Sequence, residues 1–307
     1  MRIHADAITL DAPLPGGSQG SNVIVEPMVA GSIEYPRRFF EQEGGMFAGL
    51  RAIGIGVSRK DWVRVPIPAF LIRHPTAGEL LVDTGLHPSV AAGNEKNMGR
   101  LVSRRWRPEL EPGQDVPAQL RAKQLDARQI QVVIMTHLHA DHASGISEFG
   151  EATFVISAAE WDAATTDPRP VLRGYHPEQF DFAFDYRLLD FENEAEGAPI
   201  NSYGGFGRTF DLFGDGSIRL AYTPGHSAGH MSVIARLPRR DFVIGGDAVY
   251  TWRQFEGGPE PARMVDEHSW QRSLRELQLF HREYPYAVIT PGHDVGFYEQ
   301  LEDRYEE

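Results

Sequence analysis

The chain has 307 residues, 41% hydrophobic and 24% charged, a balance that suits a globular protein with a sizeable core and includes no apolar run of membrane-spanning length. Thirty Lys and Arg against 43 Asp and Glu give a formal charge of −13, which argues against nucleic acid or an anionic membrane as the partner, since both reward a basic face. With no cysteine there is no disulfide, no thiolate ligand and no Cys nucleophile, so any metal must be held by histidine and carboxylate.

The N-terminal MRIHADAITLDAPL lacks the continuous apolar core of a signal peptide, and a cytoplasmic location is the expectation. Residues 11–21, DAPLPGGSQGS, read as a loop. Residues 34–56 place Phe39, Phe40, Met46, Phe47 and Leu50 among glycines; ordinary packing, the wall of an apolar channel and a homodimer interface all fit such a stretch. Gly54-Ile-Gly56 has no strand–helix frame and is no dinucleotide fingerprint. VPIPAFLIRH and ELLVDTG flank Pro75–Gly78 and predict a hairpin.

PAQLRAKQLDA, with Pro117 in its first turn, predicts a helix, and QVVIMTH (131–137) a buried strand. ATFVISAAEW reads as a strand running into a helix, and NSYGGFGRTF (201–210) as a second loop. Strands follow at 218–226, 241–250 and 286–294. Between the last two, DEHSWQRSLRELQLFHREYP predicts a helix capped by Asp266 and ended by Pro285, with Trp270, Leu274, Leu277 and His281 on one face. Strands alternate with helices and no linker divides the chain, so the expectation is one α/β domain over 1–307.

Four of these strands end in a turn that bears His or Asp: THLHADH, TPGH, GGDAVY and TPGHD. Polar groups on loops held by a rigid sheet are where α/β proteins place their chemistry. In VVIMTHLHADHASG, a helix would splay His137 and His139 about 200° apart, whereas a tight loop can turn His137, His139, Asp141 and His142 inward together. Imidazole and carboxylate suit a borderline divalent ion, zinc above all, with iron, cobalt or manganese as alternatives. His226, Asp247 and His293 follow later strands, which makes five histidines and two carboxylates, enough for two metals. Of the other histidines, only His230 is close enough to these motifs to support them.

HLHADH, TPGHSAGH, GGDAVY and TPGHD, in that order and across roughly residues 70–294, resemble the metallo-β-lactamase superfamily. The resemblance implies an αββα sandwich, two mixed β-sheets flanked by helices with the site at one edge. It implies that His137, His139 and His226 hold one metal and Asp141, His142 and His293 the other, with Asp247 bridging. Asp83, in LLVDTG, matches a position that supports a ligand rather than binding metal. Members hydrolyse β-lactams, thioesters, lactones, aryl esters and organophosphates, and a few are redox proteins.

His139 where the oxygen-reducing branch has Glu points to the hydrolases, and the lack of cysteine excludes lactamases with a thiolate ligand. Asp247-Ala-Val-Tyr250 is similar to an arrangement in the N-acyl homoserine lactonases that sets a phenol over the metals. The implied reaction is hydrolysis of an N-acyl homoserine lactone by a metal-bridging hydroxide. Tyr250 would donate to the oxyanion and Asp141 would relay a proton to the leaving alkoxide. The alternatives within the superfamily are an organophosphate, aryl ester, thioester or β-lactam hydrolase, or a non-hydrolytic redox module.

Overall fold

Both faces of the central strands are apolar, which is the pattern of strands covered on two sides. Phe70, Ile72, Leu80, Val82, Val132 and Ile134 point one way, while Leu71, Leu81, Val133 and Met135, their neighbours in sequence, point the other. The computed structural model, which describes residues 3–93, 95–193, 195 and 199–307, satisfies both faces with four layers.

The first sheet contains β1 (Ala7–Thr9), β2 (Ile24–Pro36), β3 (Trp62–His74), β4 (Gly78–Val82), β5 (Ile130–Ile134), β6 (Thr153–Ser157) and β7 (Asp185–Leu189). Its order is β1-β7-β6-β5-β4-β3-β2, antiparallel from β2 to β4 and parallel from β4 through β5, β6 and β7 to β1. The second contains β8 (Ile200–Tyr203), β9 (Phe206–Asp211), β10 (Ile218–Tyr222), β11 (Met231–Arg236), β12 (Asp241–Ile244) and β13 (Val288–Thr290). These lie in order β13-β12-β11-β10-β9-β8, antiparallel except for the parallel β12–β13 pair.

The inner faces meet in one core, where Phe70, Ile72, Val82 and Ile134 pack with Phe210, Leu220, Val233, Phe242 and Ile244. Val116, Leu120, Ile146, Phe149 and Ala164 cover the outside of the first sheet, and Leu277 and Phe280 the outside of the second. This is the αββα sandwich of two mixed sheets that the motifs imply. Among the described residues, no helix is long and apolar enough to cross a membrane.

The predicted β3–β4 hairpin, the strands leading to each motif and the β6-to-helix junction all form. The helix expected at 117–127 runs over Val116–Ala122, capped by Asp115, whose Oδ1 accepts the Ala118 N–H at 2.8 Å. It stops because Gln124 adopts a φ of 62°, and the remainder is a separate turn at Ala127–Gln129.

Residues 201–210 are not a loop: Gly204 and Gly205 are the turn between β8 and β9. The helix Glu267–Glu283 is capped by Asp266 as expected, but its buried stripe is Trp270, Ser273, Leu277 and Phe280. Leu274 and His281 flank it, because Ser273 turns inward to donate its hydroxyl to the Pro224 carbonyl at 2.7 Å.

Candidate metal centre

Where β5 ends, the chain turns through His137 and His139 into a short helical turn, Ala140–Ala143, carrying Asp141 and His142. β10, β12 and β13 of the other sheet end just before His226, Asp247 and His293. All seven side chains meet where the two sheets share an edge, and all but the half-buried His139 are buried.

His226 Nε2 lies 3.1 Å from His137 Nε2 and 2.8 Å from His139 Nδ1. Asp247 Oδ2 is 3.3 Å from His226 Nε2 and 3.4 Å from His293 Nε2, and Oδ1 is 3.6 Å from His142 Nε2. Asp141 Oδ2 stands 3.7 Å from His293 Nε2. The donors form three overlapping groups: His137, His139 and His226; Asp141, His142 and His293; and His137, His142 and Asp247, which joins the first two.

The donor set fits divalent metal. Three ring nitrogens converging on one point cannot all be satisfied by shared protons, whereas zinc–nitrogen bonds of about 2.0–2.1 Å hold them at such spacings. His142 Nε2 and Asp247 Oδ1 are buried with no hydrogen-bond partner among the described residues. Burial, then the surrounding imidazoles, pushes His137 well below its ordinary pKa, and burial lowers His226 despite Asp247, so both offer lone pairs. Burial would raise Asp247, but His293, His226 and His142 outweigh it and hold the carboxyl well below its usual range.

Burial opposes charge on His142 as well, yet Asp83, Asp247 and Asp141 lift it to about 10, and Asp247 and Asp141 raise His293 against the same burial penalty. These carboxylates therefore favour positive charge at this point, as a bound cation would supply.

Outer contacts aim the candidate ligands. Asp83, expected as a support, sits at a φ of 56°; its Oδ1 accepts the Thr136 N–H at 2.8 Å. Its Oδ2 accepts the Thr136 hydroxyl at 2.7 Å and the His142 Nδ1–H at 2.8 Å. His230 Nε2 accepts the Asp247 N–H at 3.0 Å, and Nδ1 bonds the Thr223 hydroxyl at 2.9 Å. Gly246, at a φ of 54°, lets this strand end approach: a Cβ there would lie 2.7 Å from His230 Nε2.

Tyr250 is buried, its phenol 2.6 Å from His226 Nδ1 and its ring stacked on His293 with centroids 5.8 Å apart. Burial, then Asp247 and Asp141, keeps that phenol well above its ordinary pKa and therefore protonated.

Two contributors escape sequence reasoning. The Tyr35 ring, at the end of β2, packs against His293 with centroids 6.2 Å apart, and the Glu160 carboxylate ties together loops that bear candidate ligands. Neither belongs to a motif. Of the five candidates in 34–56, Phe39 and Phe40 pack on Tyr250 at 5.8 and 5.3 Å, with Tyr35 and Trp106 beside them. Met46, Phe47 and Leu50 are exposed instead.

Imidazoles and carboxylates this close, buried at the rim of an αββα sandwich, define a class: a metal-dependent hydrolase. The chain belongs to the metallo-β-lactamase superfamily, which it matches over residues 62–293. It is 30% identical to the N-acyl homoserine lactonase AttM of Agrobacterium fabrum over 260 residues, 84% of this chain and 93% of that one. An N-acyl homoserine lactonase of Bacillus cereus is 24% identical over 84% of this chain and 92% of its own. Among solved structures, an N-acyl homoserine lactone hydrolase with N-hexanoyl-L-homoserine at its catalytic metal centre superposes with a TM-score of 0.71. That pair is 19% identical, covering 91% of this chain and 96% of the other.

Proposed function

We propose that this chain is a two-metal hydrolase that opens the ring of N-acyl homoserine lactones. The observation that carries the reading is two donor clusters joined by a third, His137, His142 and Asp247, with the Tyr250 phenol on their rim and an aromatic wall beside it. The 30% identity with a lactonase supports the substrate class. His137, His139 and His226 would hold one ion and Asp141, His142 and His293 the other, with Asp247 between. Zinc suits this all-nitrogen-and-oxygen set. Bound there, the ions supply Lewis acidity and water activated near neutral pH.

The chain's own residues do the rest. Phe39, Phe40, Tyr35 and Trp106 offer the acyl chain an apolar wall that turns the lactone carbonyl toward the donors. With His226 Nε2 given to a metal, its Nδ1 carries the ring proton and donates to the Tyr250 oxygen. The phenolic O–H is then free to stabilise the oxyanion. Asp141, whose Oδ2 stands 3.7 Å from His293 Nε2, takes the proton that the attacking water gives up and passes it to the ring alkoxide as the carbon–oxygen bond breaks. Both halves of the ester stay in one molecule, and at neutral pH the new carboxylic acid releases a proton.

That proton is the assay. Its release should be followed on a panel of an N-acyl homoserine lactone, a phosphotriester, an aryl ester, a thioester and a β-lactam, with metal content measured on the same sample. The lactone should be the fastest; if it were the slowest, the reading would fail.

A further inference from the structure

One carboxylate holds two ligand-bearing loops from behind. Glu160 lies in the helix Ala158–Thr166 that continues β6, and it is 1% exposed. Its Oε1 accepts the N–H of Leu138, the residue between His137 and His139, at 3.0 Å. Its Oε2 accepts the Ser227 hydroxyl at 2.6 Å and the Gly229 N–H at 3.0 Å, both in the loop just after His226. The Tyr175 ring packs on His139 with centroids 5.1 Å apart.

The fit is close. A Cβ on Gly229 would stand 2.1 Å from Glu160 N and 2.3 Å from Ser157 Oγ, so the loop seats on this helix only with glycine there. The glycine of SAGH in TPGHSAGH thus has a reason in packing.

A buried carboxylate is a costly way to fill a core position unless its charge-assisted hydrogen bonds hold something in place. Here the donors come from the loop of the first sheet that carries His137 and His139, and from the loop of the second that carries His226. These three imidazoles are the ones whose nitrogens lie 2.8 and 3.1 Å apart. We propose that Glu160 is a positioning residue for this three-histidine site, fixing the spacing of its nitrogens across the two sheets and so setting how tightly that site keeps its metal. The proposal rests on these imidazoles being ligands, as in the functional reading above.

Glu160→Gln tests it. Glutamine fills the same volume but turns one acceptor oxygen into an NH₂ group, which then faces an N–H or O–H donor. The full-length, zinc-loaded chain is titrated with a competing chelator, and the zinc left per chain is measured. One of two equivalents should leave at about 10–100-fold lower chelator concentration, the other as in the unaltered protein. Cobalt-loaded protein should show the same selectivity in its visible absorption.

Ser227→Ala, which removes one of the bonds, should move the same equivalent the same way by about tenfold or less, and it serves if Glu160→Gln does not fold. Release of both ions at the unaltered concentration would overturn the proposal. So would weakening of both ions alike, since Glu160 would then support the fold at large. Metal release is read without substrate: a chain that behaves as expected here but spares lactones would sink the lactone reading and leave this one standing.

Discussion

Replacing Tyr250 with phenylalanine separates the phenol from its ring. The packing against Phe40 at 5.3 Å and His293 at 5.8 Å survives, because phenylalanine fills the same place. What is lost is the hydroxyl 2.6 Å from His226 Nδ1. Two consequences follow, and they differ in size and in cure. Removing one preorganised donor to a developing oxyanion costs about 10²–10³ in kcat, or about 2.7–4 kcal/mol. Leaving the His226 N–H buried without its acceptor loosens the metal about 10–100-fold, a loss that added metal restores.

The assay is proton release from an N-acyl homoserine lactone, run with and without excess zinc, with metal content measured throughout. In excess zinc, kcat should remain about 100-fold down, with KM within about threefold of the unaltered enzyme. A Tyr250→Phe enzyme whose kcat returned fully in excess zinc would refute the reasoning: the phenol would then be a prop for His226 and not a donor to substrate.

Asp83→Asn takes charge from the acceptor of Thr136 N–H, Thr136 O–H and His142 Nδ1–H, and should weaken retention of the ion nearest His142 about 10–100-fold by chelator titration. Far from the site, burial would raise Asp215, but hydrogen bonds from Ser217 and Ser18 outweigh it and hold its carboxyl at about 2. Its folded pKa lies below the unfolded value, so it contributes about 2 kcal/mol that is present above about pH 4 and lost as pH falls toward 2. In Asp215→Asn that acid-side loss, read from urea midpoints, should be smaller by that amount. Leu277→Ala, at a fully buried position of the outer layer, should cost about 2–5 kcal/mol in urea unfolding and leave turnover per folded molecule unchanged.

Sequence reading succeeds where local pattern decides structure. β3 and β4 are apolar runs around a turn of Pro75 to Gly78, and β5 is an apolar run that only the exposed Gln131 breaks. It fails where punctuation misleads. Gly204 and Gly205 make residues 201–210 look like a loop, although a glycine pair is also what a tight turn between β8 and β9 needs. β2 carries Pro27 and Gly31 in mid-strand, which argues against a strand on sequence grounds. It is tolerated because β2 lies at the sheet's edge and its register shifts between Val29 and Ser32, beside that glycine. The candidate ligands were legible because a metal demands particular residue types at short spacing. Tyr35 and Glu160 were not, since each acts on groups far away in sequence.

The two buried carboxylates behind the site divide the work in a way that only the topology reveals. Asp83 stands at the end of β4 and holds the loop of its neighbour β5, so both of its partners, Thr136 and His142, belong to its own sheet. Glu160 reaches from the helix after β6 to Leu138 in that sheet's loop and to Ser227 and Gly229 in the other sheet. The second donor group also spans the sheets, taking Asp141 and His142 from one and His293 from the other, but its outer contacts differ. His293 Nδ1 is fixed by the Pro66 carbonyl at 2.8 Å, an acceptor in β3. The donor groups thus have mainly different supports, Glu160 for the first and Asp83 with Pro66 for the second, although the Thr136 hydroxyl held by Asp83 also lies 3.0 Å from His137 Nδ1. Substituting Glu160 should therefore loosen the ion nearest His226 and substituting Asp83 chiefly the ion nearest His142, with effects in the double variant that add except for the share carried through Thr136. Strong non-additivity would mean that the two halves act as one unit, coupled through the shared donor Asp247 or through Thr136.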